Sequence, residues 1–372
     1  MRVNAAASRT AADHAHGNPD VVIIGDGVIG LTIARDLGRA GARCRVFGAS
    51  EVGAASGAAA GLLAPSVGRL SAEIQQFFEA SLALYPDFVD SLRAFEPELA
   101  MIAGLIEIFN SATPRVGPAT RRLSRDDVAL LEPALQAPHG GLFHARDGAI
   151  DNVALMRALR RAVAAEEFVD VVADDPVAKL DLSADTATVV TRGGKRVAAN
   201  TIVLAAGAWS MAIAGLPRRL PVAPMKGQML AVASTAIFHA VLSEDVYLVP
   251  RAGEIVIGAT AEHAGFDVAV VPAAIAELQR AAITACPTLA DAPVLRSWAG
   301  LRPATPDMLP IIGPDPDDGR LLYACGHSKN GILLAPATAA AIVTMVLGSS
   351  AVVDVSAFGA GRFSNGKRSN GE

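Results

Sequence analysis

The spacing of apolar positions changes several times along the chain, and each change marks an element. Val21-Val22-Ile23-Ile24 is short, β-branched and uninterrupted, the pattern of a parallel strand buried on both faces. Gly25-Asp26-Gly27-Val28-Ile29-Gly30 ends it, Leu31 to Arg39 carries helical spacing up to Gly41, and a second strand, Arg43 to Phe47, completes a βαβ unit. Further on, Ala72 to Phe95 reads as one long helix, residues 101–109 as a strand pair, and Ser124 to Leu131 as a short capped helix. Asp151 to Ala165 is another helix, with Asp151 or Asn152 as N-cap. Strands are predicted at Val177 to Leu182, Thr186 to Thr191 and Thr201 to Ala205. Residues 219–233, 246–250 and 255–259 alternate in the same way, and Pro272 to Cys286 reads as a helix. A last strand, Leu321 to Cys325, leads through Gly326–Gly331 into an apolar terminal helix. No internal repeat is visible. The mixture fits an α/β nucleotide fold with an inserted antiparallel-sheet domain.

Composition narrows the class. With 52% hydrophobic and 19% charged residues, the chain builds a large core. A net charge of −5 and a pI near 5.8 argue against a nucleic-acid binder. No run of eighteen apolar residues suggests a membrane span. Cys44, Cys286 and Cys325 form no CxxC pair and read as buried thiols of a reducing compartment, so the cytoplasm is the expected location. Residues 1–18 lack an apolar h-region and read as a disordered extension, and the tail from about Phe363 as frayed. His139 and His144 lack partners at metal-ligand spacing, and no GxSxG occurs.

Gly25, Gly27 and Gly30 have the GxGxxG spacing in the strand-to-helix context that a dinucleotide site needs. The first allows the tight turn, the second a close pyrophosphate, and the third helix–strand packing. The carboxylate expected at the end of the second strand is missing: the chain reads Val46-Phe47-Gly48-Ala49-Ser50-Glu51. Glu51 reaching back, or Ser50 with backbone groups, are the candidates to hold the ribose. Gly53 to Pro65 is a long run of small side chains that lets backbone amides lie close to a flat ring and a phosphate. Thr201 to Ser210 is a buried strand breaking into a second glycine turn.

These pieces resemble the glycine oxidases within the D-amino acid oxidase superfamily of FAD-dependent amine oxidoreductases. Further matches are Pro224-Met225-Lys226-Gly227-Gln228, Tyr247-Leu248-Val249-Pro250-Arg251, Gly258-Ala259-Thr260, Gly300-Leu301-Arg302-Pro303-Ala304-Thr305-Pro306-Asp307 and Gly326-His327-Ser328-Lys329-Asn330-Gly331-Ile332-Leu333-Leu334. The resemblance spans about residues 20–348. It implies a Rossmann-like FAD-binding domain of the glutathione-reductase type at 19–85, 147–225 and 299–348. The inserted antiparallel-sheet substrate domain would take 86–146 and 226–298, with 349–372 as tail. It further implies non-covalent FAD, O2 as the acceptor giving H2O2, and a homo-oligomer.

By the same resemblance FAD would be held by Gly25, Gly27, Val28, Ile29, Gly30, Glu51, Ala55, Ser56, Gly57, Ala60, Gly61, Leu62 and Leu63. The later stretches would add Ala206, Gly207, Trp209, Gly227, Gln228, Arg302 and residues His327, Ser328, Lys329, Asn330, Gly331 and Ile332. Arg302 would clamp the substrate carboxylate with its planar fork, Tyr247 would donate its hydroxyl to the same group, and Lys329 would stand beside them. Leu62, Ala261 and His327 would line the substrate pocket, His327 as a satisfied histidine rather than a base. Two positions depart from the family. Lys329 replaces an arginine common among relatives, and Ala261 replaces a methionine common in glycine oxidases. The space left at Ala261 points to a substrate larger than glycine, a glycine with a bulky N-substituent, unless Phe238, Phe266 or Leu62 fills it. A dehydrogenase passing electrons to a quinone or partner subunit, a D-amino acid oxidase, and an NAD enzyme with the same turn are the alternatives.

Overall fold

A computed structural model of the chain describes residues 18–49, 51–67, 70–109, 120–183, 186–351 and 353–363. The expected N-terminal extension (Asn18 aside), the tail after Phe363 and Ser50 lie outside them.

Val21–Ile24 lies inside a six-stranded sheet among these residues. The order is Ile311–Pro314, Leu321–Cys325, Thr201–Leu204, Val21–Ile24, Cys44–Phe47, Val169–Val172. All neighbours pair in parallel except the edge strand Ile311–Pro314. The uninterrupted apolar run is explained by two-sided burial. Val21 and Ile23 pack with the helices Val28–Arg39 and Gly331–Leu347, while Val22 and Ile24 pack under a three-stranded sheet on the other face. That sheet consists of Arg196–Ala199, Ala187–Thr191 and Val177–Leu182.

The second layer is a nine-stranded sheet among the described residues. It runs Val294–Ala304, Ala223–Ala233, Glu254–Gly258, Tyr247–Arg251, Ala240–Leu242, Met101–Ile108, Gly141–Ile150, Leu62–Leu63, with Thr120–Leu123 also paired to Gly141–Ile150. Helices Pro272–Ala285 and Arg125–Leu131 cover one face through Leu278, Ala282 and Val128. The opposite face is turned toward the parallel sheet and walls the cavity described below.

Several expected elements hold. Ser124 and Asp127 form a reciprocal capping box, and the Asp151 carboxylate accepts from the Val153 and Ala154 amides at 2.8 and 3.1 Å. Others are corrected. The long helix from Ala72 is two helices, Ala72–Ala83 and Tyr85–Leu92, because Pro86 supplies no amide to continue the first and suits the first turn of the second. Residues 101–109 are one strand, irregular at Gly104, whose φ of +87° accommodates the bulge. The strand expected from 219 starts at Ala223, after Pro217 and Pro221. Strands Gly141–Ile150, Val169–Val172, Arg196–Ala199, Val294–Ala304 and Ile311–Pro314 were not anticipated by the pattern. Positions 85/86, 146/147, 225/226 and 298/299 each lie inside an element.

The terminal helix carries Pro336, which deprives the Ile332 carbonyl of its helical donor. The Tyr85 hydroxyl donates there instead, and Ser81 Oγ donates to the Leu333 carbonyl at 2.7 Å while accepting from the Ala337 amide at 3.3 Å. The helix start is thereby pinned to Ala72–Ala83 and Tyr85–Leu92. Among the described residues no helix is long and apolar enough to cross a membrane, and no group of three or more His, Cys, Asp or Glu could hold a metal. All three cysteines are free and buried.

Candidate active site

A cavity of about 940 Å³ opens where the carboxyl ends of the parallel strands meet the exposed face of the antiparallel sheet. This is the upper end of the range for small-ligand sites, and strand carboxyl ends are where open α/β sheets bind nucleotides. Gly25, Gly27, Val28 and Ile29 line it from the first turn, Ala206, Gly207 and Trp209 from the second. Glu51, Ala55, Ser56, Ala60, Gly61 and Leu62 line it from the small-residue run. His327, Ser328, Lys329, Asn330, Gly331 and Ile332 form a further wall at the start of the terminal helix. Two helix N-termini therefore face the same space, each offering amides and partial positive charge.

The glycines earn their places by contact. A Cβ on Gly25, whose φ is +117°, would lie 2.3 Å from the Ala205 carbonyl oxygen, and one on Gly30 would lie 1.9 Å from that of Gly25. Gly207, at φ +56°, would meet nothing within 4 Å and is open to the cavity.

Substrate-side candidates are gathered by sheet register. Arg302 pairs with Met225, Gly300 with Gly227, Gly258 with Met229, and Tyr247 with Gly258. Alternation along each strand then puts Arg302, Gly300, Gly227, Met229, Gly258 and Tyr247 on one face. All of them line the cavity. A Cβ on Gly227 would fall 2.5 Å from Arg302 Nη1, and one on Gly258 would fall 2.5 Å from the Tyr247 hydroxyl. These two glycines clear the floor across which the guanidinium and the phenol lie. Arg302 Nη1 donates to the Thr260 carbonyl at 2.9 Å, which fixes the fork. Thr260 is held in turn, since its hydroxyl donates to Glu262 and accepts from the Gln228 amide at 2.9 Å. Burial raises the Tyr247 hydroxyl above its ordinary pKa, with the Arg302 guanidinium beside it pulling the other way, so the phenol keeps its proton to donate.

Ala261 lines the cavity with Leu62, Leu105, Leu242 and Met229. Two of the three side chains considered as fillers are elsewhere. Phe238 is 68% exposed, its amide bound to the Glu132 carboxylate, and Phe266 is half exposed and stacks at 5.5 Å on Trp209. His327 is buried with Nε2 3.0 Å from Thr338 Oγ1, and burial lowers its pKa to about 3, so it is neutral at physiological pH. Lys329 is exposed at the rim.

Four candidates lie outside the wall. Gly30 packs under the Gly25 carbonyl. Gly57 presents its carbonyl to Asn152 Nδ2 at 3.1 Å. Leu63 is core, paired to Gly148. Gln228 turns away, its Nε2 2.7 Å from Glu262 and its Oε1 accepting from the Val271 amide at 2.6 Å. Ser56 Oγ accepts from the Val28 amide at 3.0 Å and so also caps the first helix. Glu51 reaches an ion pair with Arg192 at 3.5 Å.

Other contributors were not singled out as site residues in the sequence. Buried Arg251 donates to the carbonyls of Ala59 and Ala60 at 3.3 Å and to Asn152, and Asn152 donates to the Ser56 carbonyl at 2.7 Å. Trp298 Nε1 donates to the Ala58 carbonyl at 2.9 Å. Together they grip the small-residue run from behind. Only its partners in space, unreadable in order along the chain, identify this role.

The strand ends of the parallel sheet share one cavity with the antiparallel sheet, the arrangement of a nucleotide-binding α/β fold with an inserted sheet. The family profile described as FAD dependent oxidoreductase matches residues 20–345, and the chain belongs to that family. It is 36% identical over 353 residues to the bifunctional protein ThiO/ThiG of Trichormus variabilis, covering 88% of this chain but 52% of that one. The chain thus spans about half the length of the first curated relatives it matches. It is 32% identical over 351 residues to a glycine oxidase of Pseudomonas putida, covering 90% of this chain and 96% of the other. Among solved structures, glycine oxidase from Geobacillus kaustophilus superposes with a TM-score of 0.84 at 29% identity, over 92% of this chain and 98% of that one.

FAD is the cofactor of the family, and the cavity fits it. Its volume, the open face at Gly207, the amides of two helix starts and the small side chains of residues 54–61 suit a long dinucleotide with a flat ring. The residues that would hold it are the glycine turns, the 54–62 run and the 327–332 wall.

Proposed function

We propose that the protein is an FAD-dependent amine oxidase acting on glycine or, preferably, a glycine with a sizeable N-substituent. The carrying observation is the pair Arg302 and Tyr247 laid over Gly227 and Gly258 on one sheet face, in the cavity that the nucleotide turn also lines. A guanidinium fork and a protonated phenol are the donors a carboxylate needs. Clamping that carboxylate leaves the α-carbon with little freedom, and for hydride transfer positioning is the protein's main contribution. The similarity to glycine oxidases supports the same reading.

FAD held by the glycine turns, the 54–62 run and the 327–332 wall would supply a two-electron acceptor, with O2 as the terminal oxidant yielding H2O2. The substrate loses a hydride from its α-carbon and a proton from its nitrogen, giving an imine that water hydrolyses to glyoxylate and the free amine. His327 takes no part as a base: it is neutral, buried and already bonded to Thr338. Preference for an N-substituent rests on Ala261. Ala261 is exposed to the cavity, which Leu62 also lines, and neither Phe238 nor Phe266 lines it.

The test is anaerobic bleaching of the flavin by glycine, sarcosine, N-alkylglycines and D-amino acids, followed by admission of air. Fast bleaching by N-alkylglycines and peroxide release on reoxidation are expected. Far faster turnover of glycine and sarcosine than of long N-alkylglycines contradicts the size assignment, and faster bleaching by D-amino acids contradicts the substrate class. Reoxidation by a quinone but not by air identifies a dehydrogenase.

A further inference from the structure

A dinucleotide fold of this kind normally places a carboxylate about twenty residues after its glycine turn, at the end of the second strand, to bond the adenosine ribose. Gly48 occupies that place here. The space above it is nevertheless filled by a carboxylate. A Cβ added to Gly48 would lie 2.6 Å from Asp26 Cγ, 2.7 Å from its Oδ2 and 3.0 Å from its Oδ1. Asp26 arrives from the opposite side, from the middle of the glycine turn between Gly25 and Gly27. It lines the cavity together with Phe47 and Ala49 at the end of the second strand. Among the described residues no hydrogen bond or ion pair engages its carboxylate. Glu51, the other acid in this region, pairs with Arg192 at 3.5 Å.

We propose that Asp26 is the residue that binds the adenosine ribose hydroxyls of FAD, in place of the carboxylate missing from the second strand. The inference rests on the FAD reading of the cavity. Two carboxylate oxygens accept from two vicinal hydroxyls, and charged acceptors make the stronger hydrogen bonds. Gly48 and Asp26 then form one device: with no side chain at position 48, the Asp26 carboxylate reaches the space where the strand-end acid would stand.

The test is FAD binding to the apoprotein, read by quenching of flavin fluorescence, with FMN as the second probe because it carries no adenosine. Asp26→Asn keeps the shape of the turn, and Asp26→Ala removes the group. Each is expected to raise the FAD dissociation constant roughly ten- to a hundredfold, the worth of one to two charge-assisted hydrogen bonds. FMN affinity stays unchanged. Asp26→Gly combined with Gly48→Glu should recover most of the FAD affinity that Asp26→Gly alone loses. Unchanged FAD binding in Asp26→Ala overturns the proposal, and so does an equal loss for FMN and FAD, which makes Asp26 a shaper of the turn. A loss in Glu51→Gln with Asp26→Asn silent also overturns it. Wild-type apoprotein that binds neither flavin overturns instead the FAD reading underneath.

Discussion

The nucleotide wall and the substrate wall of the cavity are built by opposite means. The first is backbone: Gly25, Gly27 and the start of one helix, drawn from consecutive residues, with the contacts of Gly25 and Gly30 leaving no room for a Cβ. The second is side chain: Arg302, Tyr247 and Ala261 come from segments spread over more than fifty residues and meet only through register, above glycines that keep their floor clear. The nucleotide turn therefore tolerates no added atom at Gly25 or Gly30. The other wall is fixed by which side chains are present, and under the proposed function it is the one that would set specificity.

Substitutions sharpen this contrast, and the largest effect is expected directly behind the nucleotide wall, where Gly30 packs under Gly25. Gly30→Val puts side-chain atoms where 1.9 Å separates a Cβ from the Gly25 carbonyl oxygen. Overpacking of this kind costs about 1–3 kcal/mol or more, and the purified protein should be colourless and melt earlier. Next comes Arg302→Lys, which keeps the charge and loses the fork. A fall in kcat/KM of roughly 10²- to 10³-fold is expected from the lost charged hydrogen bonds, with flavin content unchanged in the absorption spectrum. Loss of flavin in this variant would place Arg302 with the cofactor instead.

Gly227→Ala tests the floor without touching either donor. Its methyl would displace the guanidinium by contact at 2.5 Å, and a loss of about tenfold or more in kcat/KM is expected for a misplaced positioning group. Ala261→Met adds bulk at the cavity wall. Steady-state comparison should show glycine gaining on N-alkylglycines by about 10-fold, the worth of one or two methylenes in a pocket. No change in that ratio would mean the substituent lies elsewhere.

The smallest effect on turnover is expected at His327. Its folded pKa of about 3 lies below the ordinary 6.5, so the unfolded chain binds the extra proton between those values. The stability due to the neutral imidazole is complete above pH 6.5 and is lost as pH falls from there toward 3. His327→Gln should flatten this part of the melting-temperature profile relative to wild type. It should leave the shape of the pH–rate profile at neutral and alkaline pH as it was.

The same contrast explains what the sequence made legible. Val21–Ile24, the glycine turn and the helix behind it form a local signal in which every residue supports its neighbours. The strand carrying Arg302 carried no such signal. Val294–Ala304 has four exposed residues at its start and Pro303 near its end, so neither alternation nor a buried run appears. Gly141–Ile150 was hidden by its glycines, which a strand normally avoids. Here they admit the neighbouring strand, since a Cβ on Gly148 would lie 2.0 Å from the Ile102 carbonyl oxygen. Gln228 adjoins Gly227 in sequence but points the other way because strand neighbours alternate. Its place in the motif could not show that.

The proposed substrate class follows most directly from Arg302 and Tyr247 holding a carboxylate. Anaerobic flavin reduction by an N-alkylglycine and by its carboxamide, in stopped flow, tests this directly. The carboxylate form should bleach the flavin at least a hundredfold faster than the amide at equal concentration, and Arg302→Lys should shrink that ratio towards unity. Equal bleaching by acid and amide in the wild-type protein would contradict the clamp, and with it the proposed substrate class.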